Sequence, residues 1–299
     1  MRLNPDYLVV FSTVAELGSV SRAAERLNLS QPAVSGSLKS LQELVGEPLY
    51  ERHPRGITLT AAGTALLPYA SAVARSLSRA SEVILDRRGR TRSDVRIGVS
   101  WTLSVTQPTR LLAQVKQSDL AVQLTIISDH SQALIQMVSA GELHAALAVD
   151  ASQSLPDGLE ARRFGEEEVS LIAVAGHAIH GAGYVPLSAV ATETLLWPMS
   201  GSSVRRRAES ALHSAGLTGV PFLELGGFLA VREALISGVG VAFLPRSMVR
   251  RELEAGWLTA VGVEWPSFTL GYHIVSPPMA LLSSATRAVL ELVDSKKFV

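Results

Sequence analysis

From Asp94 onward the chain alternates short runs of β-forming residues with helix-length stretches, and this alternation constrains the fold more than any other feature. VRIGVS (95–100), VQLTIIS (122–128), AALAV (145–149), VSLIAVA (169–175), PFLEL (221–225), VAFLP (241–245) and LGYHIVS (270–276) read as strands, most of them bounded by Gly, Pro, Ser or Asp. Thr106 to Gln117, Ser131 to Ala140, Ser203 to Ala215 and Phe228 to Ser237 read as the helices between them. Strand, helix and strand in this order predict parallel sheets with helices on their faces, an α/β domain of about 200 residues.

That domain leaves about ninety residues of a 299-residue chain for something else. The overall charge is zero, 27 basic against 27 acidic residues, but the two portions differ. Residues 1–92 hold 12 basic and 8 acidic side chains, net +4, and the remainder is net −4. A basic first segment permits a polyanionic partner without requiring one. The chain contains no cysteine, which excludes disulfides, thiolate metal sites and a cysteine nucleophile. The apolar run Tyr7 to Phe11 is shorter than a signal-peptide core, and every longer candidate is broken before the roughly 18 to 20 residues a membrane helix needs. A cytoplasmic location, no membrane partner, no metal and no cofactor are expected.

Within SVSRAAERLNLSQPAVSGSLKSLQEL (19–44) two helical patterns flank the polar break Asn28-Leu29-Ser30. Ala23, Ala24, Leu27, Val34, Leu38 and Leu41 are spaced so that two crossed helices share a small core. Ser30 is a good N-cap for the second helix, and Pro32 sits in its first turn, where a missing N–H costs nothing. The outward positions carry Gln31, Ser35, Ser37 and Lys39, with no carboxylate before Glu43. Such a face suits the DNA major groove, where Gln pairs with adenine and Lys with guanine or phosphate. A plain helical hairpin has the same core pattern. The next segment separates the two readings: Pro48 to Arg52 and His53 to Thr60 form two β-capable pieces around a Pro/Arg/Gly turn, a wing whose Arg52 and Arg55 can reach phosphate or the minor groove.

Together these residues resemble the winged helix-turn-helix of LysR-type transcriptional regulators. The matching positions are Phe11, Gly18, Ser19, Ala23, Ala24, Leu27, Ser30, Gln31, Pro32, Ala33, Val34, Ser35, Leu38, Leu41, Leu49, Arg52, Leu59, Thr60, Ala62 and Gly63. Gln42, Tyr50 and Gly36 depart from the family's usual residues. Gly36 offers no side chain to a base, so specificity falls to its neighbours. The resemblance implies DNA contacts from Ser30, Gln31, Pro32, Ala33, Ser35, Lys39, Arg52 and Arg55. It also implies an α+β fold overall: a winged helix-turn-helix (1–60), a linker and dimerisation helix with hinge (61–92), and a two-lobed α/β effector domain of the periplasmic-binding-protein type II kind (93–299). Lobe I would comprise 93–162 and 270–299, and lobe II 163–269. The implied partners are double-stranded promoter or operator DNA, a small-molecule effector, a second copy through the linker helix, a pair of such dimers, and RNA polymerase.

Leu66, Ala70, Val73, Leu77, Ala80 and Ile84 recur at alternating intervals of four and three, the a/d seam of a coiled coil. An amphipathic helix lying on its own domain gives the same periodicity, and the resemblance favours the dimer. Pro68 removes a backbone hydrogen bond, so a kink is expected between Thr64 and Pro68. Arg87, Arg88, Arg90 and Arg92 read as a solvated hinge.

In parallel sheets ligands sit beyond the carboxyl ends of the strands, where helix N-termini present free N–H groups. Four junctions qualify: Ser100-Trp101-Thr102, Asp129-His130-Ser131-Gln132, Met199-Ser200-Gly201-Ser202-Ser203 and Gly226-Gly227-Phe228, with Ser100, Trp101, Thr102, His130, Ser131, Ser200, Ser202, Ser203, Gly227 and Phe228 as the candidate contacts. The resemblance places an effector there, between the lobes. Ser202 and Ser203 cap a helix whether or not a ligand binds, and Trp101 serves equally as a stacking face or as core. His130 reads as a loop histidine or a ligand contact. Asp129 and Asp150 near the same mouth argue against a strongly anionic site.

A divergent two-lobed enzyme is the competing reading, since fold does not decide function. No G-x-S-x-G elbow, Walker A loop, H-E-x-x-H or G-x-G-x-x-G fingerprint is present. A solute-binding protein with an appended helical domain leaves the first ninety residues unexplained. A sequence-specific regulator whose DNA binding or promoter bending responds to an effector, and which is not an enzyme, is the expectation.

Overall fold

The computed structural model describes residues 3–54, 56–86, 93–151, 155–179, 184–198, 200–264 and 269–294. They form two compact units, residues 1–91 with 140–142, and residues 92–139 with 143–299.

The first unit opens with α1 (Pro5–Leu17), capped by the Asn4 side chain, which accepts from the Asp6 N–H at 3.0 Å, and closed by Gly18 at φ +63°. After it come α2 (Val20–Leu27), capped by Ser19, and α3 (Gln31–Val45), where Ser30 accepts from the Ala33 N–H at 3.3 Å. Phe11, Val14, Ala23, Val34, Leu38, Leu41 and Leu49 are fully buried in one cluster. Five of the six residues expected to form the helix-pair core are buried, and Leu27 packs at its edge. Gln42, one of the departures from the family pattern, fixes the chain where it leaves α3, because its side-chain oxygen accepts from the Leu49 N–H at 2.9 Å. The wing is the antiparallel hairpin of β1 (Tyr50–His53) and β2 (Gly56–Leu59), and Ile57 donates to the Gly18 carbonyl at 3.1 Å, tying it to the end of α1.

The linker helix α4 (Ala61–Asp86) spans 26 residues, about 39 Å at 1.5 Å per residue. It runs through Pro68 as one helix, so the expected irregularity does not interrupt it. Thr64 and Pro68 are not buried, so a carbonyl left without its helical donor faces water. Hinge residues Arg87, Arg88, Arg90 and Arg92 lie outside the described residues, as does Arg55.

The second unit begins with β3 (Ser93–Ser100), a single 3-10 turn at Trp101–Leu103, α5 (Gln107–Gln117), β4 (Val122–Asp129), α6 (Ser131–Ala140) and β5 (Ala145–Val149). β3 pairs in parallel with both β4 and β5. The chain then leaves this half along β6 (Glu160–Val174), builds β7 (Val185–Pro186), α7 (Leu187–Val190), β8 (Leu195–Pro198), α8 (Ser203–Ser214), β9 (Phe222–Leu225), α9 (Phe228–Ile236), β10 (Ala242–Pro245), α10 (Arg250–Glu254), β11 (Leu258–Val261) and β12 (Val263–Glu264), and returns along β13 (Thr269–Ser276) to finish in α11 (Ser284–Asp294).

The expectation of purely parallel sheets needs correction. β13 runs antiparallel to β5 and β6, and β10 and β11 run antiparallel to β6, so the main sheet is mixed, in the order β10-β6-β13-β5-β3-β4 with β11 also on β6. Two strands that carry the chain out to a second lobe and back must run in opposite directions if they lie side by side, and β6 and β13 do so over residues 160–168 and 269–276. Glu167 on β6 pins this crossing, accepting from the Ser247 N–H, the Ser247 hydroxyl and the Tyr272 hydroxyl, each at 2.7 Å. Ile97, Val99 and Leu147 are fully buried in the first half, and Ile172, Leu196, Val231 and Leu235 in the second.

Candidate functional site

On the first unit, the N-terminal end of α3 faces solvent. Ser30, Gln31, Pro32, Ala33 and Lys39 are exposed, whereas Val34, Leu38 and Leu41 point into the core from the opposite side. The helix N-terminus adds a partial positive charge to this face. Ser35 is half-buried and accepts from the Arg52 guanidinium at 3.4 Å, which brings the wing arginine beside the helix, 6.0 Å from the Tyr50 ring. Lys39 lies 3.8 Å from Glu43. Both are well exposed, and such a pair is worth about 0–1 kcal/mol, so it holds the ammonium only weakly.

In the second unit four strand ends converge on a cavity of about 210 Å³. Ser100 ends β3 at 2% exposure, and its hydroxyl has no hydrogen-bond partner. Trp101 and Thr102 follow on the same wall. The Trp101 ring meets His130 edge to face, centroids 5.8 Å apart. His130 Nδ1 accepts from the Ala133 N–H at 3.0 Å, so the ring caps α6, and a neutral imidazole carries its proton on Nε2. Ser131 also lines the wall, with its oxygen accepting from the Val149 N–H at 3.0 Å. On the facing side Ser202 caps α8, Ser203 accepts from Arg206 at 3.1 Å, and Gly227 and Phe228 begin α9. No side chain caps α9.

Nine of the ten residues expected at the strand-to-helix junctions therefore share this cavity, and Ser200 does not line it but is exposed beside it. Gly201 and Gly226, which belong to the named junctions, line it as well, and sequence reasoning missed Ser104, Pro198 and Val204, which sit within a few residues of those junctions. Val231, one turn beyond Phe228, was accessible from helical spacing. Leu244 and Met248 come from β10 and the turn after it, and nothing local marks them.

Among the described residues, no Asp, Glu, Lys or Arg lines the cavity. Asp129 accepts from the adjoining His130 N–H at 2.7 Å. Asp150, in a left-handed conformation at φ +52°, accepts from the Gly271 N–H at 3.0 Å and pairs with Arg207 of α8 at 2.9 Å. Neither carboxylate lines the cavity wall, and Asp150 is neutralised by Arg207. The Asp150 to Arg207 pair joins the end of β5 to α8, one half of the unit to the other. No cluster of potential metal ligands and no helix long and apolar enough to cross a membrane occurs among the described residues.

Comparison with known proteins agrees along the whole chain. Residues 5–64 match the bacterial regulatory helix-turn-helix proteins of the lysR family, and residues 88–296 match the LysR substrate binding domain. The chain is 29% identical over 296 residues to the RuBisCO operon transcriptional regulator of Allochromatium vinosum, covering 99% of this chain and 97% of that one. Among solved structures, ArgP from Mycobacterium tuberculosis superposes with a TM-score of 0.76 at 20% identity, covering 98% of this chain and 97% of that one. Full-length OxyR from Pseudomonas aeruginosa gives 0.75 at 21% identity, over 99% and 95%. With an N-terminal winged helix-turn-helix and a two-lobed effector-binding domain in this order, the chain belongs to the LysR family of transcriptional regulators.

Proposed function

We propose that the protein acts in the cytoplasm as a dimer, or a pair of dimers, on double-stranded operator DNA, and that a small metabolite held between its two lobes changes promoter bending or occupancy. The exposed end of α3 would enter the major groove, with Gln31 reading a base edge, Ser30, Pro32, Ala33 and Ser35 close to the groove walls, and Lys39, Arg52 and Arg55 on phosphates. Dimerisation would set the half-site spacing, since two recognition helices on one scaffold read a roughly two-fold site.

The cavity's role rests on one observation above all: a buried, unpartnered Ser100 hydroxyl at the convergence of four strand ends. Buried polar groups in folded proteins are paired, so an orphan facing a cavity marks where a ligand completes the bonding. The ligand would be bound and released unchanged. His130 Nδ1 is committed to a backbone N–H, and among the described residues no carboxylate lines the cavity to orient a base. Lobes I and II at about 93–162 with 270–299 and 163–269 would close around it.

A mobility-shift titration with DNA flanking the protein's own gene tests the DNA half. If about 6 to 10 phosphates are contacted, affinity falls about 10³ to 10⁵-fold between 50 and 200 mM salt. Gln31→Ala costs about 1 to 3 kcal/mol chiefly at one base pair, whereas Arg52→Ala weakens all sequences alike. Salt-independent binding would overturn the proposal.

A further inference from the structure

We infer that the ligand of the interlobe cavity is a small monocarboxylate with a compact apolar body. The inference rests on reading that cavity as the effector site and goes on to its chemistry.

The wall has two kinds of surface. On one side are hydrogen-bond donors: the unpartnered Ser100 hydroxyl, the His130 ring with its proton on Nε2, and the start of α9, whose first-turn N–H groups follow Gly226-Gly227 with no capping side chain. Among the described residues no carboxylate stands on this side to repel an anion, and the helix N-terminus behind these donors favours one. The other side is apolar, made by Trp101, Val204, Phe228, Val231, Leu244 and Met248. A ligand that satisfied only the donors would leave this surface wet, so an apolar body is required.

The absent charges set the rest. Among the described residues no carboxylate lines the cavity to receive an ammonium group, Asp150 being paired with Arg207, so an amino acid or an amine would bury an unpaired cation. Among the described residues no Lys or Arg lines it either: Arg206 is turned to the Gly201 carbonyl at 3.0 Å and to Ser203, and Arg205 to Glu209 and Glu224. Neutral donors and one open helix end suffice for a single delocalised charge. They are too few for a second carboxylate or a phosphate dianion. A polyol would set its hydroxyls against six apolar side chains. At about 210 Å³ the space lies below the roughly 300 to 1,000 Å³ usual for drug-sized ligands, so the body is about the size of one ring.

The experiment titrates the full-length protein at pH 7.5 by calorimetry and tryptophan fluorescence with benzoate, cyclohexanecarboxylate, benzamide, benzylamine, citrate and arabinose. Benzoate or cyclohexanecarboxylate should bind saturably, at least tenfold tighter than the neutral benzamide, with benzylamine, citrate and arabinose silent. Ser100→Ala should weaken the monocarboxylate at least tenfold while leaving the melting temperature of the unliganded protein unchanged or raised, because it removes an orphan hydroxyl. A merely structural Ser100 would lower that temperature. Phe228→Ala provides a second, independent loss through the apolar wall. Tighter binding of benzylamine, citrate or arabinose at a Ser100-sensitive site overturns the monocarboxylate and leaves the cavity as the effector site. Silence of both monocarboxylates also overturns it. Monocarboxylate binding unchanged in both variants overturns the cavity itself.

Discussion

His273 and Gly63 show how much a single position can be constrained by its surroundings. His273 is 8% exposed in β13, with Nδ1 3.1 Å from the Gly271 carbonyl. Burial, opposed by that carbonyl and by Asp150, holds its pKa below the usual 6.5, and Arg163 adds to the depression. A depressed pKa means that the unfolded chain binds the proton first, so this contribution to stability is present above about pH 6.5 and is lost as pH falls. His273→Gln should therefore flatten the decline in unfolding free energy between about pH 6.5 and 5, measured by urea titration. A wild-type slope retained by the variant would show that His273 does not drive it. Gly63, buried in the first turn of α4, is constrained by space: an added Cβ would stand 1.9 Å from the Leu49 carbonyl oxygen. That obstacle is backbone and cannot swing aside. Gly63→Ala should cost about 1–3 kcal/mol in the first unit's stability, detectable as a lower urea midpoint. An unchanged midpoint would mean that the wing yields freely.

At the scale of elements, the seam of α4 divides into two parts. Leu66, Ala70 and Val73 pack on the helix-turn-helix core, whereas Leu77 is 43% exposed and Ile84 is 54% exposed. One periodicity thus serves both readings of the sequence: the first half packs on its own domain, and the second leaves apolar side chains open along the same seam. Leu77→Asp should split the proposed linker-helix dimer in sedimentation, because an unpaired charge in an a/d interface is costly. It should change the stability of the separated chain by no more than about 0.5 kcal/mol, as for other surface substitutions. An unaltered sedimentation profile would place the dimer contact elsewhere.

At the scale of the whole effector-binding unit, the proposed closure of the two lobes around a ligand can be tested at the contact between them. Arg207 and Asp150 meet at 2.9 Å with side chains 44% and 22% exposed, a partly screened pair between the two halves. Such a pair is worth about 0–1 kcal/mol, and losing about 0.5 to 1 kcal/mol changes the closed-to-open ratio about two- to fivefold. Arg207→Ala should enlarge the radius of gyration of the isolated unliganded unit, read by small-angle scattering, and weaken ligand binding by a similar factor. Identical scattering and affinity would show that the pair does not hold the lobes. By linkage, a ligand that prefers the closed arrangement tenfold supplies about 1.4 kcal/mol, comparable with the largest contribution of this latch.

The sequence by itself determined the local features. Ser19, Ser30 and Ser202 cap the helices they precede, α6 runs over the expected Ser131–Ala140, β5 over Ala145–Val149, and the wing forms around its turn. Capping, turn chemistry and periodicity act within a few residues, so they are legible without a fold. Most of the cavity wall was legible for the same reason, because ends of strands and starts of helices are local events. Strand direction was not. Residues 160–168 read as no particular element, rich in Glu and Arg and half-buried at most, yet they continue β6 because β13 lies alongside them. Only the tertiary structure set β13 antiparallel to β5, brought Leu244 and Met248 to the cavity, and paired Asp150 with Arg207 and Gly271. Those outcomes depend on pairing between residues up to 121 positions apart, as from Asp150 to Gly271, and no local pattern encodes which distant strand supplies the hydrogen bonds.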